Sequence, residues 1–366
     1  MIIGIDANPM FIRQAGIGQY VANLITHMVR LAPDDEFVLY RTGMWGESKT
    51  PAGWGGNVRV VSAPKLLLWA RSRLDELDVY HGTSYRLRGF GRRGSIVSIH
   101  DLAAERVPGV APRRWGARLA SEKTKRTAHR ATLILVLSEH AARDVGDLMG
   151  VPREKIEVIN PGVGDDYYPE RVAGGREALC RRYALPRDRY VLFVGTLEPR
   201  KNVPTLVRAF GRLTRIRRSH CLVLVGASGQ GIEEISDVVR GSGLDGEVVM
   251  PGYLPQEEVR RLYSYADLFV YPSLYEGFGL PPLEAMACGA PTITSNTSSL
   301  PEVVGEAALQ VDPRDPEALA DAMNAILEDE TLAVMLRARG FDRIKQFSWE
   351  RTARETLQAY RRVGSR

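Results

Sequence analysis

Short apolar runs alternate with helix-length amphipathic segments along nearly the whole chain. In the first half, IIGIDA (2–7), EFVLY (36–40), VRVVSA (58–63), DVYHG (78–82), SIVSIHD (95–101), TLILVLS (132–138) and KIEVINPG (155–162) predict strands. The second half adds YVLFVGT (190–196), CLVLVGA (221–227), EVVMPG (247–252), DLFVYPS (267–273), PTITSN (291–296) and ALQVDP (308–313). These runs are almost continuously apolar and rich in β-branched residues, the pattern of strands covered on both faces. Between them, stretches such as VPTLVRAFGRLTRI and QEEVRRLYSYA place apolar residues at helical spacing. Such alternation builds parallel sheets joined by right-handed crossovers. Thirteen strands predict two sheets, each doubly wound.

The strand rhythm pauses at DDYYPERVAGGREALCRRYALPRDR (165–189), which marks a domain boundary. The division expected is 1–170 plus about 350–366 for the first domain and 185–349 for the second. The tail FSWERTARETLQAYRRV, from 347, reads as a helix that crosses back onto the first domain. Open parallel sheets bind ligands at the carboxyl ends of their strands. Two such sheets facing each other would make one deep cleft, so function is sought in the loops that follow strands.

At 366 residues the chain exceeds one ordinary core, in agreement with two domains. Its 44% hydrophobic and 25% charged content is that of a globular protein. The net charge of +5 suits anionic small molecules or an acidic surface without demanding nucleic acid. Cys180, Cys221 and Cys288 offer neither metal spacing nor a disulfide framework, which favours a reducing cytosol. MIIGIDANP lacks the basic region and long apolar run of a signal peptide, and no run reaches the roughly 20 apolar residues of a membrane-spanning helix. A cytoplasmic protein is expected.

The chemistry concentrates in YPSLYEGFGLPPLEAMACGAP (271–291). Pro281 and Pro282 open a helix, where proline forfeits no hydrogen bond. Glu276 then falls in the strand-to-helix loop and Glu284 near the first helical turn. Gly277 and Gly279 permit close approach of a ligand to the backbone, and amides around Gly277, Phe278, Gly279 and Leu280 at a helix start suit an anion. Two carboxylates would accept hydrogen bonds from hydroxyl-rich parts of the same ligand. The alternative is that Glu284 only complements the helix dipole and the glycines only turn the chain.

The Glu-x7-Glu arrangement in EGFGLPPLEAMACGAP resembles the signature of the family-4 retaining glycosyltransferases. AGIGQY (15–20) resembles that family's glycine-rich loop, FVGTLEPRKNVPTLVRAF (193–210) its phosphate-contacting segment and FSW (347–349) its crossover helix. The resemblance implies the GT-B fold: two facing Rossmann-like doubly wound domains, an interdomain cleft and a C-terminal crossover helix. It also implies that Glu276 contacts the donor sugar and Glu284 the ribose hydroxyls. Arg200 and Lys201, beside Gly195 and Thr196, would offset a diphosphate leaving group. Many relatives carry Arg where this chain has Thr196, which makes Lys201 a firmer assignment than Arg200.

Gly16 and Gly18 do not form GxGxxG, so a nicotinamide or flavin role is disfavoured, and a loop closing over donor phosphates or acceptor is expected. His100 in SIVSIHDL matches a family histidine near the donor sugar, His81 would line the acceptor side, and Ser138 is explained by helix capping. Gly252 and Tyr253 would meet the base, with core packing of Tyr253 as the alternative. No Asp-x-Asp occurs, and no cofactor or essential metal is expected.

The segment 112–130 carries seven Lys or Arg against one Glu, with Trp115 and Leu119 spaced to share a face. It resembles the basic helix with which some relatives touch anionic membranes, although a solvated face explains it too. The resemblance points to transfer of a sugar, best matched by mannose from GDP-mannose, with UDP- or dTDP-sugars open. The acceptor would be a saccharide or lipid-linked saccharide. An epimerase on the same fold and a non-catalytic nucleotide-sugar-binding protein are the competing readings.

Overall fold

In a computed structural model, fourteen strands form two sheets among the described residues. The structure describes all residues except 13–15, 45, 49–53, 66, 108–113, 171 and 366; the side chains of residues 12, 46–48 and 114–118 are likewise not described. Contacts divide the chain into one unit of Met1–Leu102, Pro112–Gly162 and Phe347–Arg366, and another of Ala103–Ala111 and Val163–Gln346.

The first unit holds β1 (Ile2–Asp6), β2 (Glu36–Thr42), β3 (Gly46–Ser48), β4 (Val58–Ala63), β5 (Val79–Gly82), β6 (Gly94–Ile99), β7 (Leu133–Val136) and β8 (Ile156–Val158), in the order β3-β4-β2-β1-β5-β6-β7-β8. The second holds β9 (Arg189–Val194), β10 (His220–Val225), β11 (Val248–Gly252), β12 (Leu268–Tyr271), β13 (Thr292–Ser295) and β14 (Leu309–Val311), in the order β11-β10-β9-β12-β13-β14. All pairings are parallel except β3 with β4. The thirteen expected strands are therefore present, and β3 is an addition. Its GES sequence carries no apolar run, so edge pairing alone makes it a strand. Strands end earlier than the apolar runs where apolar or small residues continue into loops: KIEVINPG pairs only over Ile156–Val158.

Central strands are buried along their length, as in HCLVLV at β10. Helices cover such strands on both faces, so no polar alternation survives. In the first unit the C-terminal helix Trp349–Gly364 starts at Ser348, whose hydroxyl accepts from Arg351 N at 3.2 Å. It buries Trp349, Ala353, Leu357, Tyr360 and Val363, residues at helical spacing. Trp349 meets Tyr20 edge-on at 5.6 Å, against the helix Gly16–Leu31. The crossing is tight at Gly162, where a Cβ would fall 2.1 Å from Trp349 N.

Candidate functional site

The strand order of the second sheet reverses between β9 and β12, which leaves a crevice beyond their carboxyl ends. Arg200 and Lys201 lie in a 3-10 turn, Pro199–Lys201, after β9. Glu276 follows β12. The chain thus brings Glu276 to the switch point beside the adjacent Arg200 and Lys201, 76 and 75 positions earlier. Lys201 Nζ donates to Glu276 Oε1 at 2.6 Å, and Arg200 Nη1 donates to Glu276 Oε2, also at 2.6 Å. Arg200 additionally reaches Glu198 at 2.7 Å and Tyr275 O at 3.1 Å.

Both Lys201 and Glu276 are only 6% exposed. Burial alone would raise the Glu276 carboxyl, but Arg200 and Lys201 override it and hold it at about 2. Burial pulls the Lys201 ammonium down, against the attraction of Glu276. Glu276 and Glu198 balance the two cations, so an incoming phosphate would have to compete with these carboxylates for the Arg200 and Lys201 N–H groups.

The loops are stitched by residues that sequence reasoning missed. Asn202, in a left-handed conformation, bonds through Nδ2 to Pro313 O at 2.6 Å and Pro272 O at 3.2 Å. Ser298 Oγ accepts from Glu276 N at 3.0 Å, while Ser299 Oγ donates to Glu276 O at 2.9 Å and Phe278 O at 2.6 Å. Ser295 Oγ donates to Ser273 O at 2.5 Å. The available signal was the hydroxyl- and amide-rich SNTSS, which begins at the last residue of β13. Tyr271, which ends β12, also went unremarked; its hydroxyl accepts from Lys201 Nζ.

The helix Leu280–Ala287 begins after Gly279, whose φ is 121° and whose Cβ would lie 2.6 Å from Leu300 Cδ2. Glu284 therefore sits in the second helical turn, not the first, because the helix opens at Leu280 before the proline pair. Its Oε2 accepts from Tyr263 at 3.2 Å. Burial pushes its carboxyl up to about 7, with the Tyr167 and Tyr263 hydroxyls opposing. Glu284 is thus held by a different set of partners from Glu276. Gly195 directly follows β9 and gives its N–H to Val225 O at 2.9 Å; Thr196 beside it is exposed. Gly252 has φ 81° and Tyr253 is 63% exposed, which corrects the core-packing alternative.

In the first sheet the order reverses between β1 and β5. Thr83 Oγ1 donates to Asp6 O at 2.5 Å across that point, and Arg88 pairs with Asp6 at 3.3 Å. His100, buried, sits beyond β6 with Nε2 2.7 Å from Thr83 O. A donating Nε2–H leaves Nδ1 as the acceptor, and burial lowers the imidazole, so the ring is neutral.

His81 does not line a ligand surface. It is fully buried on β5, with Nδ1 2.7 Å from Tyr360 OH and Nε2 2.8 Å from Ser98 Oγ. Burial, together with the nearness of His100, whose protonation would oppose a second positive charge, lowers it to about 3. It joins the C-terminal helix to the first sheet.

Gly16 and Gly18 form no loop. They open the helix Gly16–Leu31, and residues 13–15 before them lie outside the described residues. Ser138 caps the helix Glu139–Met149, accepting from Ala141 N at 3.0 Å. The basic segment forms the helix Arg114–Arg130; Trp115 lies outside the described side chains, and Leu119 is 59% exposed. Among the described residues no helix is long and apolar enough to cross a membrane, and no group of three or more His, Cys, Asp or Glu could hold a metal ion.

Solved structures share this architecture. Sucrose-phosphate synthase from Thermosynechococcus elongatus superposes with a TM-score of 0.79 at 24% identity, covering 100% of this chain and 99% of that one. WaaG, a glycosyltransferase involved in lipopolysaccharide biosynthesis, gives 0.74 at 16%, covering 98% and 99%. Anabaena HepE, solved with UDP and glucose, gives 0.75 at 16%, covering 98% of both chains. The fold class is GT-B.

Residues 177–343 match the model described as glycosyl transferases group 1, and residues 15–167 match Glycosyltransferase Family 4. O-antigen chain mannosyltransferase B of Escherichia coli is 35% identical over 301 residues, 81% of this chain and 77% of that one. The chain therefore belongs to glycosyltransferase family 4 and is a glycosyltransferase. The serotype-specific mannosyltransferase WbdA of Escherichia coli is 34% identical over 238 residues, 64% of this chain but 29% of WbdA, so the chain spans under a third of that relative.

Proposed function

We propose that the protein transfers mannose from GDP-mannose to a saccharide hydroxyl, with retention at the anomeric carbon, in surface-polysaccharide synthesis. The observation that carries this reading is the Arg200–Lys201–Glu276 cluster at the switch point of the second sheet. The sugar and pathway follow the relatives named for O-antigen mannosyl transfer.

The C1–O bond of the donor breaks and its electron pair leaves on the diphosphate. Arg200 and Lys201 offset that growing charge, in a buried site where ionic attraction exceeds its value in water. Glu276 positions the sugar and stabilises positive charge at C1. The acceptor oxygen attacks from the face the diphosphate vacates, and its proton passes to the departing phosphate. Glu284 accepts from the ribose hydroxyls, Gly252 and Tyr253 contact the base, and the amides at Gly277–Leu280 hold phosphate oxygens. His100 offers Nδ1 to a sugar hydroxyl. Two protein cations fill the role of a metal on the diphosphate, so turnover is expected to persist in EDTA. The basic helix with exposed Leu119 would bring the enzyme to an anionic membrane surface, where a lipid-linked acceptor resides.

Thermal stabilisation by GDP, UDP and dTDP, followed by GDP-mannose turnover, tests the proposal. GDP at a hundred times its Kd should add about 2.7 kcal/mol. No shift with any nucleotide overturns the donor site. A larger shift with UDP than with GDP reassigns the donor, and interconversion of GDP-mannose without an acceptor favours an epimerase.

A further inference from the structure

Tyr271 sits where the two sides of the candidate site meet. It ends β12, is fully buried, and its ring lies nearly parallel to Phe193 on β9 at 5.9 Å and to Phe269 at 6.0 Å. The ring position is thus set by strands rather than by a loop. Its hydroxyl accepts a hydrogen bond from Lys201 Nζ, which also stands 4.9 Å from the ring centroid. The same hydroxyl interacts with Glu276, and burial next to that carboxylate keeps the phenol protonated. Of the three ammonium N–H groups, one goes to Glu276 and one to Tyr271, which aims the third.

We propose that Tyr271 is a positioning residue, whose hydroxyl keeps the buried Lys201 ammonium charged and aimed at the diphosphate of the donor. The inference rests on the reading of Lys201 as a diphosphate contact. The groups facing Lys201 are Glu276, Arg200, Glu198 and Tyr271. The strands beside Tyr271 present Phe193 and Thr294, neither of which titrates. Burial and Arg200 oppose the charged lysine, Glu276 and Glu198 favour it, and the Tyr271 oxygen adds an acceptor for one of its N–H groups. Replacing the phenol by phenyl keeps the stacking and removes one acceptor from a cation that burial already disfavours.

The test measures GDP affinity from pH 6 to 9.5 for the wild type, Tyr271→Phe, Lys201→Met and the double variant, with melting temperatures as a fold control. The lysine must be charged to bind, so affinity falls as pH rises through its pKa. In Tyr271→Phe that fall should come about one pH unit lower, the shift expected for one lost hydrogen bond to a charged group. On the Lys201→Met background, Tyr271→Phe should change nothing further. A profile that superimposes on the wild type overturns the proposal. So does a uniform loss at every pH, or an equal loss with and without Lys201, since both mark a structural tyrosine. Should Tyr271→Phe fail to melt cooperatively, Tyr271→Leu, which fills the apolar slot without an acceptor or a titrating group, replaces it under the same criteria. A wild type that binds no nucleotide instead overturns the donor-site reading itself.

Discussion

Replacing Glu276 by Gln keeps the shape of the side chain and removes the charge that two buried cations share. Breaking a buried ion pair costs about 3–5 kcal/mol, because the surviving charge is left uncompensated. Arg200 keeps Glu198 and Tyr275 O, and Lys201 keeps Tyr271, which places the loss at the low end. The carboxyl itself supplies an independent figure: its fall from 4.5 to about 2 corresponds to about 3 kcal/mol. At about 2–4 °C per kcal/mol, the second unit should melt some 6–12 °C lower, about what calorimetry resolves easily.

The folded carboxyl titrates below the unfolded one, so this stabilisation is present above pH 4.5 and lost as pH falls through 2. The gap between wild type and variant should stay constant from pH 8 to 5 and narrow below 4.5. All five tryptophans, Trp45, Trp54, Trp69, Trp115 and Trp349, belong to the first unit. Tryptophan fluorescence therefore follows that unit as an internal control, while calorimetry or circular dichroism follows the second. Transfer should be abolished as well. A loss below about 1 kcal/mol at pH 7, or a gap that widens on acidification, would refute the claim that this ion cluster holds the two loops together.

Glu284 should behave in the opposite sense. Its folded carboxyl is raised to about 7, so its contribution to stability is full below about pH 4.5 and is lost as pH rises through 7. Glu284→Gln should therefore stabilise the chain at pH 8 by about 1–3 kcal/mol while weakening GDP binding, read by urea denaturation and calorimetric titration. Ser299→Ala removes a buried hydroxyl that serves two carbonyls of the Glu276 loop; a loss of about 1–3 kcal/mol, with kcat falling more than GDP affinity, is expected. His81→Phe should lower the melting temperature yet leave the KM for donor unchanged, because both ring nitrogens face the core.

The pattern of apolar runs determined the two parallel sheets, since a strand covered on both faces can be written only with apolar residues, and that requirement is local. The same locality placed Glu276 after β12 and Arg200 and Lys201 after β9. Strand order is not local. That β9 and β12 lie side by side, so that Lys201 meets Glu276, was decided by the packing of the sheet. Tertiary structure likewise turned Gly16 and Gly18 from an expected loop into the start of a helix, and sent His81 into the core against Tyr360. Histidine and glycine suit both environments, and only their neighbours choose. The pairing of Tyr271 with Lys201 was invisible for the same reason: an apolar strand and a basic turn look independent until burial forces each polar atom to find its partner.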